Sequence, residues 1–375
     1  DLAKWGQVRF MTGGDDVTHQ VGKDLDVRRH FVAEGKLANT IDREYRGVRD
    51  RMPVFAYSHS LHVEAANTTS TPNLFYLFAR IRSPAISLAD RSINSLWLDY
   101  FTDADQMMVY AYDDSEEALK RAINLDKKIA KDSASEGENY YKIVSYALRE
   151  ALGGTEMVGT KEHPWMMLKE ISSNGDCQTT DVLFPHFPVH IYLNPTAVSW
   201  LLEPIFDNVE RGYWRRNYAI HDLGTYPRCV GHLLNSLEKS MEVEESANMI
   251  IMMAAYHRAT SDSVYVKRHY NTLSTWARYL VERGPYPGNQ LTTDDFLGRL
   301  MNSTNLSIKA IISLAGMAQL ATAVGQTNDS KHYLETAHQF MKIYEQHGLS
   351  KDGKHIKESY NGHDDSWFLQ YNMYL

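Results

Sequence analysis

Cysteine is nearly absent, since Cys177 and Cys229 are the only two in 375 residues. That excludes a small disulfide-stapled scaffold and leaves room for one bridge, which the sequence alone does not establish. Basic charge is also scarce, with 39 Lys+Arg against 47 Asp+Glu and a net charge of −8. A nucleic-acid binder would normally carry a clustered basic face, so no nucleic-acid partner is expected. The mild acidity names no substrate, because it chiefly serves solubility. Long apolar runs are missing too. The longest candidate, Met249–Tyr256, falls far short of the ~20 residues of a membrane span, and no membrane partner is expected. There is no Gly-x-Ser-x-Gly elbow, no His-Glu-x-x-His pair and no phosphate loop. Ser236-Leu237-Glu238-Lys239 fits a Ser-x-x-Lys pattern, but a four-residue match in a charged stretch has a high chance rate. The 16 histidines are scattered without a zinc-ligand spacing, so neither a metal nor another cofactor is called for.

What is present is ordinary globular composition, rich in tyrosine, which favours a thick core over a sugar-binding cleft. Four Asn-x-Ser/Thr sequons occur, at Asn67, Asn302, Asn305 and Asn328, against about two expected by chance. They point to a secreted glycoprotein.

Residues 1–104 read as strands, with Gln7–Met11, Pro53–His62 and Asn73–Ile81 rich in Val, Phe and Tyr between turn residues. From Asp113 the period turns helical. Asp113-Asp114-Ser115-Glu116 opens a run to about Ser133, and Glu138–Leu152 follows, stopped by Gly153-Gly154. The hairpin unit then recurs as Asp181–Leu193 with Thr196–Arg211, Glu244–Ala259 with Ser263–Arg283, and Asn305–Val324 with Asp329–His347. Pro185 and Pro188 predict a bent first half for the first of these. A further helix is expected from near Asp365. The fold class expected is therefore α+β multidomain. A β-sandwich-like segment over 1–104 precedes an (α/α)6-type helical toroid over 105–375. A closed ring of six hairpins would require about 100 further residues at the C-terminus, and strands upstream of Asp1, so the expectation is of a chain incomplete at both ends.

Turns within hairpins are short, and the connections between them are long: 155–180, 212–243, 284–304 and 348–364. Antiparallel succession puts all the long loops at one end. They hold Lys169-Glu170, His221-Asp222 with Tyr226, Glu244-Glu245 with Asn248, Asp294-Asp295, and Asp364-Asp365 with Trp367. Taken singly, these acids are caps or dipole partners at helix starts. Taken together, paired carboxylates, a histidine and the aromatics Tyr226, Trp214 and Trp367 at one mouth are the furniture of a hydrolytic site.

The segments Lys169–Gly175, His221–Pro227, Val243–Met249, Leu291–Phe296 and Asn305–Lys309, with Gly35–Thr40 and Arg51–Phe55 upstream, resemble the signature segments of the secreted, fungal-type glutaminase A family. The resemblance implies a β-sandwich-like N-terminal domain, a toroid similar to the six-hairpin glycosidases, and extracellular hydrolysis of L-glutamine to L-glutamate and ammonia. The roles themselves rest on chemistry. Amide hydrolysis needs a base for water, a donor for departing ammonia and groups to meet the oxyanion. Asp295 or Glu245 is expected as base, and Asp222 as opposing acid or amine anchor. Lys169 or Asn248 is assigned to the substrate carboxylate or oxyanion, and His221 to proton transfer or to orienting Asp222. Glu244, Tyr226, Asp294 and Trp367 complete the substrate-binding set. The partner is a small molecule, glutamine or a saccharide, and the sequence does not give the oligomeric state. A toroidal glycoside hydrolase with facing carboxylates is the rival, and a non-catalytic scaffold the third class.

Overall fold

The computed structural model describes residues 5–61, 74–170, 174–231, 241–293 and 298–370. The chain divides into two compact units, each of which draws on two described segments.

The first unit comprises Trp5–Arg82 and Tyr100–Asp132. Strand β1 (Gln7–Thr12), β2 (Val17–Lys23), helix α1 (Asp24–Glu34), β3 (Thr40–Ile41), β4 (Pro53–His59) and β5 (Tyr76–Ile81) follow in order. β1 pairs antiparallel with β5, Gln7 facing Ile81 and Thr12 facing Tyr76. β2 lies between β3, parallel, and β4, antiparallel. These are one two-stranded and one three-stranded sheet. Helix α1 was not expected. It buries only Val27, so it carries no apolar stripe from which periodicity can be read. Helices α2 (Ala104–Asp113) and α3 (Ser115–Asp132) complete the unit. This corrects the boundary expected at 104. The first helical run belongs with the strands, and strand-like sequence at Ser83–Asp99 belongs with the second unit.

The second unit comprises Ser83–Asp99 and the chain from Ser133. It contains β6 (Ile86–Leu88), β7 (Arg91–Ile93), α4 (Glu138–Gly153), β8 (Thr155–Gly159), β9 (Pro164–Leu168), α5 (Thr180–Leu193), α6 (Thr196–Glu210), β10 (Arg228–Cys229), α7 (Glu242–Thr260), α8 (Ser263–Arg283), β11 (Asn289–Gln290), β12 (Leu300–Met301), α9 (Thr304–Ala323) and α10 (Thr327–Gly348). Ala85, Ile86 and Leu88 are fully buried there, and β6 pairs parallel with β10. Helix α5 runs through Pro185 and Pro188, each of which removes one backbone donor. The helix expected near Asp365 is absent among the described residues, which run as turn and coil from 363 to 370.

Helix α7 packs on α5, α8 and α9, and α9 packs on α7, α8 and α10. Helices α7 and α9 are buried on nearly every side, whereas α8 and α10 bury one face. That division makes α7 and α9 an inner layer and α8 and α10 an outer one, and α5 joins the inner layer by packing on α7. Helix α9 is long and apolar enough to span a membrane by composition, yet two-thirds of it (67%) is buried in the core. Antiparallel hairpins turn the N-termini of all three inner helices the same way. The long loops lead into those N-termini.

Candidate active site

Two of the long loops are stitched together by backbone. Cys177 N donates to Gly224 O at 2.9 Å, Leu223 N to Cys177 O at 2.9 Å, and Tyr226 N to Gly175 O at 2.9 Å. A Cys177–Cys229 disulfide closes the same seam. Gly224 has φ +93° and lies against Gly231 N, where a Cβ would come to 3.0 Å, so only glycine fits. Thr180 then ties the seam to the start of α5, its N donating to His221 O at 2.7 Å and its Oγ1 to Ile220 O at 2.7 Å. The dipeptide His221-Asp222 is thereby held beside Asp181.

Asp222 is fully buried. Its Oδ1 accepts from Gly224 N at 2.7 Å and its Oδ2 lies 2.7 Å from His221 Nδ1. With Nδ1 donating to that carboxylate, Nε2 faces Asp181 Oδ1 at 3.7 Å and Glu245 Oε1 at 4.0 Å. Both of those oxygens are buried without a hydrogen-bond partner among the described residues. Burial pushes the Asp181 carboxyl up; His221 pulls it down, while Glu244 and Glu170 push it up, to about 6. Burial likewise drives Glu245 well above the carboxylate range. Asp181 and Glu244 add to that shift, and Lys309 and Asn248 oppose it.

Glu244 sits differently although it is the next residue. Its Oε1 accepts from Lys309 Nζ at 2.8 Å and from Thr293 Oγ1 at 2.7 Å, and its Oε2 from Thr293 N at 2.8 Å. Lys309 is fully buried, its Nζ 4.4 Å from the centre of the Phe184 ring. On the same two helices, Asn248 Oδ1 and both amide atoms of Asn305 are buried and unpartnered among the described residues. The starts of α5, α7 and α9 thus supply Asp181, the Glu244-Glu245 pair and Asn305 with Lys309.

Of the expected residues, His221, Asp222, Glu244, Glu245 and Asn248 meet here. Lys169 and Tyr226 converge on Glu156 instead. Lys169 Nζ is 3.6 Å from Glu156 Oε2 and 4.8 Å from the Tyr226 ring centre, and Tyr226 OH donates to the same carboxylate. Trp367 is 75% exposed in coil, and Trp214, half-buried, donates to Tyr218 O at 2.6 Å. Asp294 and Asp295 lie outside the described residues, as does Asn67. Asn305 is closed to glycosylation in the folded chain because it is fully buried. Asn302 has both ends of its amide engaged, by Gly288 N and Asn361, and Asn328 is exposed. Sequence reasoning missed Asp181, read as a helix start, and Lys309. The signal for the second was there: Lys309 is the one charged residue in the twenty of Thr304–Ala323.

An α+β chain whose helical hairpins bury a carboxylate–histidine cluster where the inner helices begin is a helical-hairpin protein with its polar site at the loop end. The chain belongs to the family defined by the glutaminase A six helical-hairpin domain, which matches residues 137–375. A domain of unknown function (DUF5127) matches residues 1–132. Glutaminase A of Aspergillus oryzae is 36% identical over 384 residues, covering 100% of this chain and 55% of that protein. A probable glutaminase of Arthroderma benhamiae is 31% identical over 443 residues, covering 100% of this chain and 51% of that protein. The chain spans about half the length of these relatives.

Proposed function

We propose that this chain is the catalytic part of a secreted amidohydrolase that converts L-glutamine and water to L-glutamate and ammonia. The observation that carries it is the convergence on an imidazole aligned by Asp222 of two buried carboxyl oxygens, of Asp181 and Glu245, that have no hydrogen-bond partner among the described residues. Such a cluster is suited to hold and polarise one small polar group. Water held there attacks the side-chain amide carbon. One C–O bond forms, the C–N bond breaks, and the proton taken from water by a carboxyl group leaves on ammonia. Asn248 and Asn305 offer amide donors and acceptors to the substrate's polar ends. The names of both relatives carry the same chemistry, and the disulfide suits an oxidising, extracellular setting. Asn328 is the acceptor favoured for a glycan.

The tight grouping also bears on the sugar-cleaving rival. The atoms that Asp181, His221 and Glu245 offer lie within 4.8 Å of one another, which disfavours an inverting carboxylate pair at roughly 6.5–9.5 Å but not a retaining pair at about 5–5.5 Å. Incubation with L-glutamine and with a panel of oligosaccharides tests the proposal. Ammonia release without sugar cleavage is expected, and the reverse outcome overturns it.

A further inference from the structure

Among the described residues, four buried carboxyl groups, those of Asp181, Asp222, Glu244 and Glu245, cluster with one ammonium and one imidazole. Lys309 answers Glu244 and His221 answers Asp222. Asp181 and Glu245 are left with no such close ion pair of their own, and each presents a buried oxygen without a hydrogen-bond partner among the described residues. We propose that Asp181 Oδ1, His221 Nε2 and Glu245 Oε1 together seat one transition-metal dication of zinc's class.

The three atoms come from three elements and lie within 4.8 Å of one another, with Nε2 at 3.7 and 4.0 Å from the two oxygens. An ion with bonds of about 2.0–2.2 Å holds adjacent ligands about 3–3.5 Å apart, so modest inward turns of the carboxyl groups close the site. Once both carboxyl groups ionise on binding, two carboxylates and a neutral imidazole neutralise the charge of one dication. The imidazole nitrogen selects a borderline transition ion over calcium or magnesium, which prefer all-oxygen sets. Three protein ligands leave a position for water, the arrangement of catalytic rather than structural zinc. Asp222 then acts as a positioning residue: it grips Nδ1 at 2.7 Å and so aims Nε2 at the ion. The ligand spacing is hidden in sequence, where 40 and 24 positions separate the three residues (181 to 221, 221 to 245).

Binding of the ion does not depend on which substrate is hydrolysed, whereas its use to activate water rests on the amidohydrolase reading. The test therefore reads binding directly. The chain is stripped with chelator, titrated with Zn²⁺ by calorimetry, and assayed for bound metal after desalting. One equivalent is expected to bind, with Ca²⁺ giving no competing heat. His221→Gln and Glu245→Gln are expected to abolish that binding, and Asp222→Asn to weaken it about 10–100-fold. A circular dichroism melt of each variant shows that it is folded. No bound zinc in the folded wild type, or stoichiometric binding that survives in folded His221→Gln, overturns the site. Zinc bound with no ammonia release would leave the ion in place and sink only the substrate.

Discussion

Glu244 and Lys309 form an ion pair at 2.8 Å with both side chains fully buried, and it joins the first turn of α7 to the second turn of α9. Such a pair contributes little net stability against an apolar substitute, but removing one partner strands a charge in the core. Lys309→Met is therefore expected to destabilise the chain by about 3–5 kcal/mol. The double variant Glu244→Gln, Lys309→Met is expected to recover a large part of that loss. Urea unfolding of these two variants and of Glu244→Gln alone checks it, and additive losses would mean the pair is not coupled.

Glu245 is buried with one oxygen unpartnered among the described residues, an arrangement that opposes folding. Glu245→Gln keeps the shape and removes the charge. Turnover of L-glutamine is expected to fall at least about 100-fold, on the scale of a lost acid–base group, while the melting temperature holds or rises. Equal losses of activity and stability would mark Glu245 as structural.

His269 lies between Glu203 and Glu210, its Nε2 3.3 Å from the first and its Nδ1 2.9 Å from the second. Burial works to lower its pKa, but the two carboxylates outweigh burial and hold it above the ordinary value. A histidine raised in this way stabilises fully below its unfolded pKa of about 6.5, and loses the contribution as pH rises through the folded value. Glu203 has the opposite sense: burial pushes it up, His269 pulls it further down, and the net lowering makes its share vanish only as pH falls. His269→Gln should thus lose most stability between about pH 4.5 and 6.5, with the deficit shrinking in alkali. Denaturation midpoints at about pH 5.5 and 8.5 measure this. An equal deficit at both would refute it.

The Cys177–Cys229 bridge closes a separation of 52 residues that includes the His221 segment. Replacing both cysteines with serine is expected to destabilise the chain by about 2–4 kcal/mol. Ammonia release should also fall, because the seam holding His221 against Asp181 loosens. Undiminished activity in the folded serine variant would show that the backbone bonds alone suffice.

Much of the helical unit was legible. The runs at Thr196, Ser263 and Asn305 matched the observed helices to within a residue or two, because apolar stripes, caps and short turns are local signals. Asp24–Glu34 was not legible, since a helix that buries one residue leaves no periodic trace. The boundary near 104 misled for a related reason. The β6–β7 hairpin carries ordinary strand sequence, and only its pairing with β10 assigns it to the helical unit.

Chain connectivity and side-chain period were enough to set the hairpin array and the clustering of its long loops. With them came the meeting of His221, Asp222, Glu244 and Glu245. Packing in three dimensions was needed to bring Asp181 to the same imidazole and to assign Lys309 to Glu244. It also sent Lys169 and Tyr226 to Glu156. All but the Lys169 contact link residues 40 to 70 positions apart on separate helices and loops. At such separations no local signal operates, and only packing and the cost of burying an unmatched charge select a partner.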